Sequence, residues 1–352
     1  MNQNWRQALT DRGARFEGER VTDFGPAQRE APPTLARVVL APLLSEGLIL
    51  VSGEDALAFL QGQVSNDVEQ VSATRAQFAA YCTPKGRVLA TLVICQADNG
   101  YALALPGELS ESIRRRLQMY VLRSRVRLDN ASDQIAVLGL AGADARAMVS
   151  RELEIALSSA YDAGSSGGLT AVALPGDRIQ ITVDVARGIE TWDKFAARCP
   201  LVGEQAWDAH AIAAGVPTIT STTQDQFTPH MLNLDLLGGV SFSKGCYTGQ
   251  EIVARTQYLG QVKRRLARFV TAGRAEPGGA VYAEGQPAGT VVNAVRSPDG
   301  CDLLAVVQTQ AALSAAAGIA LRLGDPQGPA LRPLALPYPL PGMPEQQAID
   351  DA

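Results

Sequence analysis

Lys244-Gly245-Cys246-Tyr247-Thr248-Gly249-Gln250-Glu251 is the stretch on which the reading of this chain turns. A single cysteine stands between a glycine and an aromatic residue, with a lysine two positions before it and a carboxylate five after. Two glycines in eight residues predict a backbone that turns tightly or lets a ligand approach closely. A core strand has no use for that mixture. Two readings of Cys246 stand side by side. In one its thiol is activated by Lys244 or Arg255 and is nucleophilic or redox-active. In the other it is a buried cysteine packed as a small hydrophobe, a common fate of the free residue. Cysteine nucleophiles normally need a base. The two histidines, His210 and His230, are not adjacent to Cys246, which speaks against a Cys–His hydrolase.

The surrounding 352 residues set bounds. At roughly 100–200 residues per domain, two or three domains are expected. A hydrophobic fraction of 46% with 19% charged residues describes a globular chain with a sizeable core. A net charge of -5 excludes a general nucleic-acid binder and leaves local basic clusters as the only polyanion candidates. Five cysteines, at 82, 95, 199, 246 and 301, include no Cys-x-x-Cys pair. A disulfide framework, a zinc site and an intrinsic iron–sulfur site are therefore not expected, and a reducing compartment is. The polar start, Met1-Asn2-Gln3-Asn4-Trp5-Arg6, lacks the apolar core of a signal peptide. No run of about 18 apolar residues predicts a membrane span. A cytoplasmic protein with no membrane partner is the expectation.

Outward from the octapeptide the pattern is mixed. Pro32-Pro33 breaks any long helix in the polar first 40 residues. Strands are predicted at 48–51, 77–82, 87–95 and 101–105, the last two joined through Asp98-Asn99-Gly100, a hairpin signal. Helices are predicted at 56–63 and 110–122, the second from the stripe Ile113, Leu117, Tyr120 and Val121. A second set follows: strands at 134–140, 169–173 and 178–185, helices at 144–153 and 205–214, and a loop at 158–168. Residues 216–245 read as irregular. Beyond Arg265, short apolar segments at 266–271, 279–283, 288–293, 302–308 and 319–323 alternate with turns such as Pro277-Gly278-Gly279 and Pro298-Asp299-Gly300, the texture of a small β-barrel. The Pro-rich end reads as a tail. The expected class is α+β, with an N-terminal segment 1–40, α+β subdomains 41–132 and 133–260, a barrel 261–340 and a tail 341–352.

Two basic clusters stand out: Arg114, Arg115, Arg116, Arg123, Arg125 and Arg127, then Arg255, Lys263, Arg264, Arg265 and Arg268. Each is either a solvated face or a site for carboxylate or phosphate, which guanidinium forks suit. Alternation in Arg123-Ser124-Arg125-Val126-Arg127 predicts three arginines on one face of a strand. Asn66-Asp67 reads either as a turn or as a pair able to hydrogen-bond a polar heterocycle. There is no P-loop, and no Gly-x-Gly-x-x-Gly opens a helix after a strand.

The block from Ala214 to Arg255 resembles the YgfZ family, folate-binding relatives of the glycine-cleavage T-protein. It carries Ala214-Gly215-Val216-Pro217, Phe227-Thr228-Pro229, Asn233-Leu234, Leu237-Gly238-Gly239-Val240-Ser241-Phe242 and the octapeptide. Val51-Ser52-Gly53-Glu54-Asp55-Ala56, Phe59-Leu60-Gln61-Gly62-Gln63, Asn66-Asp67-Val68, Thr83-Pro84-Lys85-Gly86-Arg87 and Tyr120-Val121-Leu122-Arg123 extend the likeness to about residues 20–340. The resemblance implies a ring of three subdomains around a central cavity for tetrahydrofolate, with a C-terminal barrel. It implies support of iron–sulfur enzymes, including those that modify tRNA, through Cys246 with Lys244 beside it. Folate contacts are expected from Asn66, Asp67, Arg123, Tyr247, Gln250, Glu251 and Arg255. The partners implied are folate, iron–sulfur client enzymes and, indirectly, tRNA. A folate-dependent methyl or aminomethyl transferase and a non-catalytic scaffold for client proteins or tRNA are the alternatives. Two departures bear on them. Gly86-Arg87-Val88-Leu89-Ala90-Thr91 lacks the carboxylate that aminomethyl transfer needs in the T-protein, and His230 stands where many family members have glutamine.

Overall fold

Short strands build a two-stranded ribbon, two five-stranded sheets and one closed barrel in this computed structural model, which describes residues 2–25, 37–298, 300–316 and 320–341. Pro32-Pro33, Asp299 and residues 342–352 lie outside the described residues. The chain forms two compact units. The first comprises Met1–Ala79, Leu92–His210 and Lys244–Tyr247; the second comprises Ala80–Thr91, Ala211–Ser243 and Thr248–Ala352.

The first unit opens with helix α1 (Gln3–Asp11), whose N-terminal amides at Asn4 and Trp5 are capped by the Asn2 side chain. The ribbon β1 (Arg15–Glu17) and β2 (Arg20–Asp23) follows. Strand β3 (Val39–Pro42) edges the sheet β10-β11-β12-β9-β3, with β9 (Ile135–Ala141), β10 (Ala163–Ser166), β11 (Leu169–Leu174) and β12 (Arg178–Asp184). Helices α4 (Ala145–Leu153) and α5 (Val185–Ala196) contribute to its core. Trp192 is fully buried there, edge-on to Trp5 at 6.1 Å and stacked on Phe24 at 5.5 Å. Helix α6 (Glu204–Ala213) begins with a buried carboxylate: Glu204 accepts from the amides of Val21, at 3.2 Å, and Ser45, at 3.1 Å.

The other sheet runs β5-β6-β7-β4-β8, from β4 (Glu46–Ser52), β5 (Gln77–Cys82), β6 (Val88–Ala97), β7 (Gly100–Pro106) and β8 (Arg127–Asn130). Helix α2 (Ala56–Gln61) follows β4, and α3 (Gly107–Gln118) follows β7. The Asn99-Gly100 hairpin pairs Ala97 with Gly100 as the sequence predicts. Three predictions fail in these sheets. Helix α3 stops at Gln118, because Met119, Tyr120 and Leu122 carry the apolar surface outward, and Leu122 turns the chain with φ 47°. Arg123 consequently lies in that turn and Arg125 in the irregular segment after it, neither on a strand; only Arg127 belongs to β8. Residues 163–166, read as loop, pair as β10 despite their small side chains, because β11 supplies the ladder.

In the second unit, β13 (Arg264–Thr271), β14 (Ala280–Ala283), β15 (Gln286–Ser297), β16 (Gly300–Gln308), β17 (Leu321–Leu323) and β18 (Ala330–Leu334) close a barrel in the order β13-β16-β15-β14-β17-β18. Phe269, Val281, Val291, Leu303, Ala305, Leu321 and Leu331 fill it. Helix α8 (Thr309–Ala316) adds Ala311, Ala312 and Ala315 to that core. The barrel agrees with the sequence reading. The final strand β18 and the helices α5, α7 (Gln250–Leu259) and α8 were not legible: α8 is half alanine, and β18 is interrupted by Pro333.

Candidate functional site: an exposed thiol between two buried anchors

Within the octapeptide, burial alternates. Lys244 and Tyr247 are buried, whereas Gly245 and Cys246 between them are exposed. The reason lies in α2. A helix ends with carbonyls that lack intrahelical partners and with the negative pole of its dipole. The Lys244 ammonium, with three N–H donors, meets that end. Its Nζ donates to the carbonyl of Gln61, the last residue of α2, at 2.8 Å, and to those of Val64 at 2.8 Å and Asn66 at 2.7 Å. Burial pushes the Lys244 pKa down to about 8, a fall that Asp67 and Glu69 oppose, so it stays a cation at neutral pH. The same ammonium sits 5.3 Å from the centre of the Tyr247 ring. Lys244 and Tyr247 thus pin both sides of the Gly245-Cys246 dipeptide, and the thiol is presented to solvent.

The turn that receives Lys244 is itself cross-linked. Asn66 Nδ2 donates to Phe78 O at 2.7 Å. Asp67 Oδ1 accepts from Gln61 Nε2 at 2.7 Å, and Gln61 Oε1 accepts from the Val68 amide at 2.8 Å. Asn66 and Asp67 therefore share one turn with the Lys244 anchor. Gln63 Oε1, within the family segment quoted above, and Gln77 Nε2, which the sequence reading passed over, are buried polar atoms with no hydrogen-bond partner among the described residues. A glutamine in β5, a strand buried along its whole length, is the signal that could have singled out Gln77. Arg123 is exposed and has no ion pair among the described residues.

The rest of the motif belongs to the second unit. Gly249 takes φ 86° at the start of α7, and a Cβ there would lie 2.4 Å from Thr83 O and 3.0 Å from Gly86 Cα. This glycine is sterically required. Gly245 is not: nothing lies within 4 Å of a Cβ placed on it. Gln250 and Glu251 form the first turn of α7, where a carboxylate suits the helix dipole. Arg255 projects from the same helix and is exposed. His230 is buried, 5.9 Å from the Phe242 ring, with Nε2 2.9 Å from Gln257 Oε1. Its carbonyl accepts from Arg265, whose guanidinium makes a two-pronged pair with Asp235 at 2.8 and 2.9 Å. His230 thus packs inside the second unit. Among the described residues no group of His, Cys, Asp and Glu could hold a metal ion, and no helix is long and apolar enough to cross a membrane.

Comparison with known proteins agrees with this picture. Residues 7–162 match the GCVT N-terminal domain. The tRNA-modifying protein YgfZ of Klebsiella pneumoniae (strain 342) is 34% identical over 297 residues, spanning 81% of this chain and 89% of the relative. That of Escherichia coli O7:K1 (strain IAI39 / ExPEC) is 34% identical over 247 residues, spanning 70% and 75%. In fold the chain is similar to the glycine cleavage system aminomethyltransferase T from Bartonella henselae, with a TM-score of 0.76 over 94% of this chain and 95% of that one at 15% identity. With more than two thirds of a relative covered at over 30% identity, the chain belongs to the YgfZ family of tRNA-modifying proteins.

Proposed function

We propose that this protein is a tetrahydrofolate-binding accessory factor that supports the assembly or repair of iron–sulfur enzymes, tRNA-modifying enzymes among them, with Cys246 as the acting thiol. The carrying observation is the presentation of Cys246: two buried anchors, Lys244 and Tyr247, hold an exposed thiol on a short segment. A cysteine retained only for packing has no need of such a mount. The tRNA-modifying name of the relatives supports the setting, and a reducing, cytoplasmic compartment suits five cysteines that are all free.

The residues present fit a folate. Gln63 Oε1 is an acceptor and Gln77 Nε2 a donor, both buried and unpartnered among the described residues. A pterin offers complementary donor and acceptor edges, and pairing would remove the cost of leaving those atoms unsatisfied. Asn66, Asp67 and Tyr247 belong to the same unit, and the exposed Arg123 guanidinium, without an ion pair among the described residues, suits the anionic glutamate tail. When bound, tetrahydrofolate supplies a carrier for one-carbon groups. Aminomethyl transfer is disfavoured, because Gly86 to Thr91 holds no carboxylate and Val88, Leu89, Ala90 and Thr91 are all buried.

Complementation tests the thiol. In a deletion strain, Cys246→Ala should accumulate as a folded protein and fail to restore iron–sulfur enzyme activity; full restoration would remove Cys246 from the function. Titration with tetrahydrofolate tests the ligand. Saturable micromolar binding, weakened by Gln77→Leu, is expected, and no binding at that concentration would favour a scaffold without folate.

A further inference from the structure

Between Glu251 and Glu276 the chain carries six cations and no carboxylate. Three of the six are neutralised: Arg265 by Asp235, Arg268 by Asp302 and Arg274 by Glu276. Arg255, Lys263 and Arg264 are exposed and have no ion pair among the described residues. Lys263 and Arg264 line a cavity of about 840 Å³ at the start of β13, together with Gln261, Gln308, Thr309 and Gln310. Gln308 and Thr309 each commit a donor inside the fold, to the carbonyls of Pro287 and Val262. The amides of Gln261 and Gln310 commit none among the described residues.

Val262 and Pro341 add apolar surface to this wall, and its charged and amide groups are Lys263, Arg264, Arg265, Gln261, Gln308 and Gln310. Two exposed cations without ion pairs among the described residues, flanked by amide side chains, suit an anionic, hydrated occupant. Two residues before Gln261, α7 ends in Tyr258 and Leu259, 66% and 85% exposed. Tyr258 is held edge-on to Phe242 at 6.2 Å, a support for an exposed aromatic face. Cations for phosphates beside a ring for an unstacked base are what single-stranded RNA segments bind.

We infer that the cleft formed by Lys263, Arg264 and the flanking glutamines binds RNA, with phosphates against the two cations and a loop base against Tyr258. The choice of RNA over other polyanions rests on the reading above of a protein that works in tRNA modification. The net charge of -5 confines any such contact to a local face of this kind.

The test is fluorescence anisotropy of the full chain with a fluorescein-labelled RNA hairpin carrying a single-stranded loop, across a salt series. The variant Lys263→Gln/Arg264→Gln should bind about tenfold or more weakly at low salt. Its log–log salt slope should be shallower by about 1.4, the loss of two single-strand phosphate contacts. Tyr258→Ala should weaken binding and leave that slope unchanged. Unchanged affinity and slope in the double variant would overturn the inference. So would absence of binding by the native chain, or displacement of the RNA by inorganic triphosphate at equal phosphate concentration, which marks a small-phosphate site. Should the double variant lose its cooperative melt, Arg264→Gln alone reads the same quantities. Tetrahydrofolate titration of the same samples separates the two readings. Folate binding without RNA binding removes only this inference, and RNA binding without folate binding removes only the folate part of the proposal.

Discussion

The ammonium of Lys244 closes the end of helix α2 by donating to the carbonyl of Gln61 at 2.8 Å, across 183 residues of sequence. This bond ties the octapeptide to the turn that holds Asn66 and Asp67, and so fixes where Cys246 is presented. Removing the cation strands three carbonyls that it serves. Lys244→Met should therefore cost about 2–4 kcal/mol, within the range for buried hydrogen bonds to a charged group. Urea unfolding measures it, and a loss below about 0.5 kcal/mol would show that the anchor is dispensable.

The five thiols should separate cleanly by reactivity. Cys246 is exposed, whereas Cys82 and Cys301 are buried and Cys95 and Cys199 half-buried. Burial pushes the thiols of Cys82 and Cys199 up to about 12 and that of Cys95 to about 11, which starves them of thiolate. A disulfide reagent such as dithiobis-nitrobenzoate should label one cysteine quickly in the native protein at pH 8, mapped to Cys246 by mass spectrometry. Fast labelling of a second site would contradict this arrangement.

The two glycines of the octapeptide should respond oppositely. Gly249→Ala places a methyl 2.4 Å from a backbone oxygen at φ 86°, so a loss of at least about 1–2 kcal/mol is expected. Gly245→Ala meets nothing within 4 Å and should stay within about 0.5 kcal/mol of the parent. Paired thermal melts compare them, and similar losses at both positions would refute the distinction.

Glu46 should give the first unit a pH signature. Burial, with the charges of Asp208 and Glu204, raises its pKa to about 7 from a usual 4.5, while Arg178 and Arg20 oppose the rise. Between those values the folded protein holds a proton that the unfolded chain has released, so stability falls as pH rises from about 4.5 to 7. Glu204, shifted in the same direction mainly by burial, adds to the slope. Urea midpoints at pH 5 and pH 7.5 should differ in that sense, and Glu46→Gln should shrink the difference. An unchanged slope in the variant would assign it to other groups.

Much of the architecture was readable without coordinates because its elements announce themselves locally. Strands at 77–82 and 169–174 are short apolar runs bounded by turn residues, the Asn99-Gly100 hairpin carries its own turn chemistry, and the barrel strands beyond Arg265 alternate with Gly and Pro. Where local pattern competed with long-range pairing it misled. The helical stripe running through Tyr120 continued past Gln118 in sequence but not in space, and the polar strand β10 exists only because β11 lies beside it.

The octapeptide shows the same division. Its residue types sufficed to mark Cys246 as chemically suspect and, with the segments around it, to tie the chain to a family. Sequence spacing offered Lys244 as a partner for the thiol. Tertiary structure turned that lysine toward the end of α2, because an ammonium leaves water only where several carbonyls and a helix dipole receive it. Gln63 and Gln77 gained meaning in the same way, since an unsatisfied polar atom is a property of burial and neighbours that no linear pattern records.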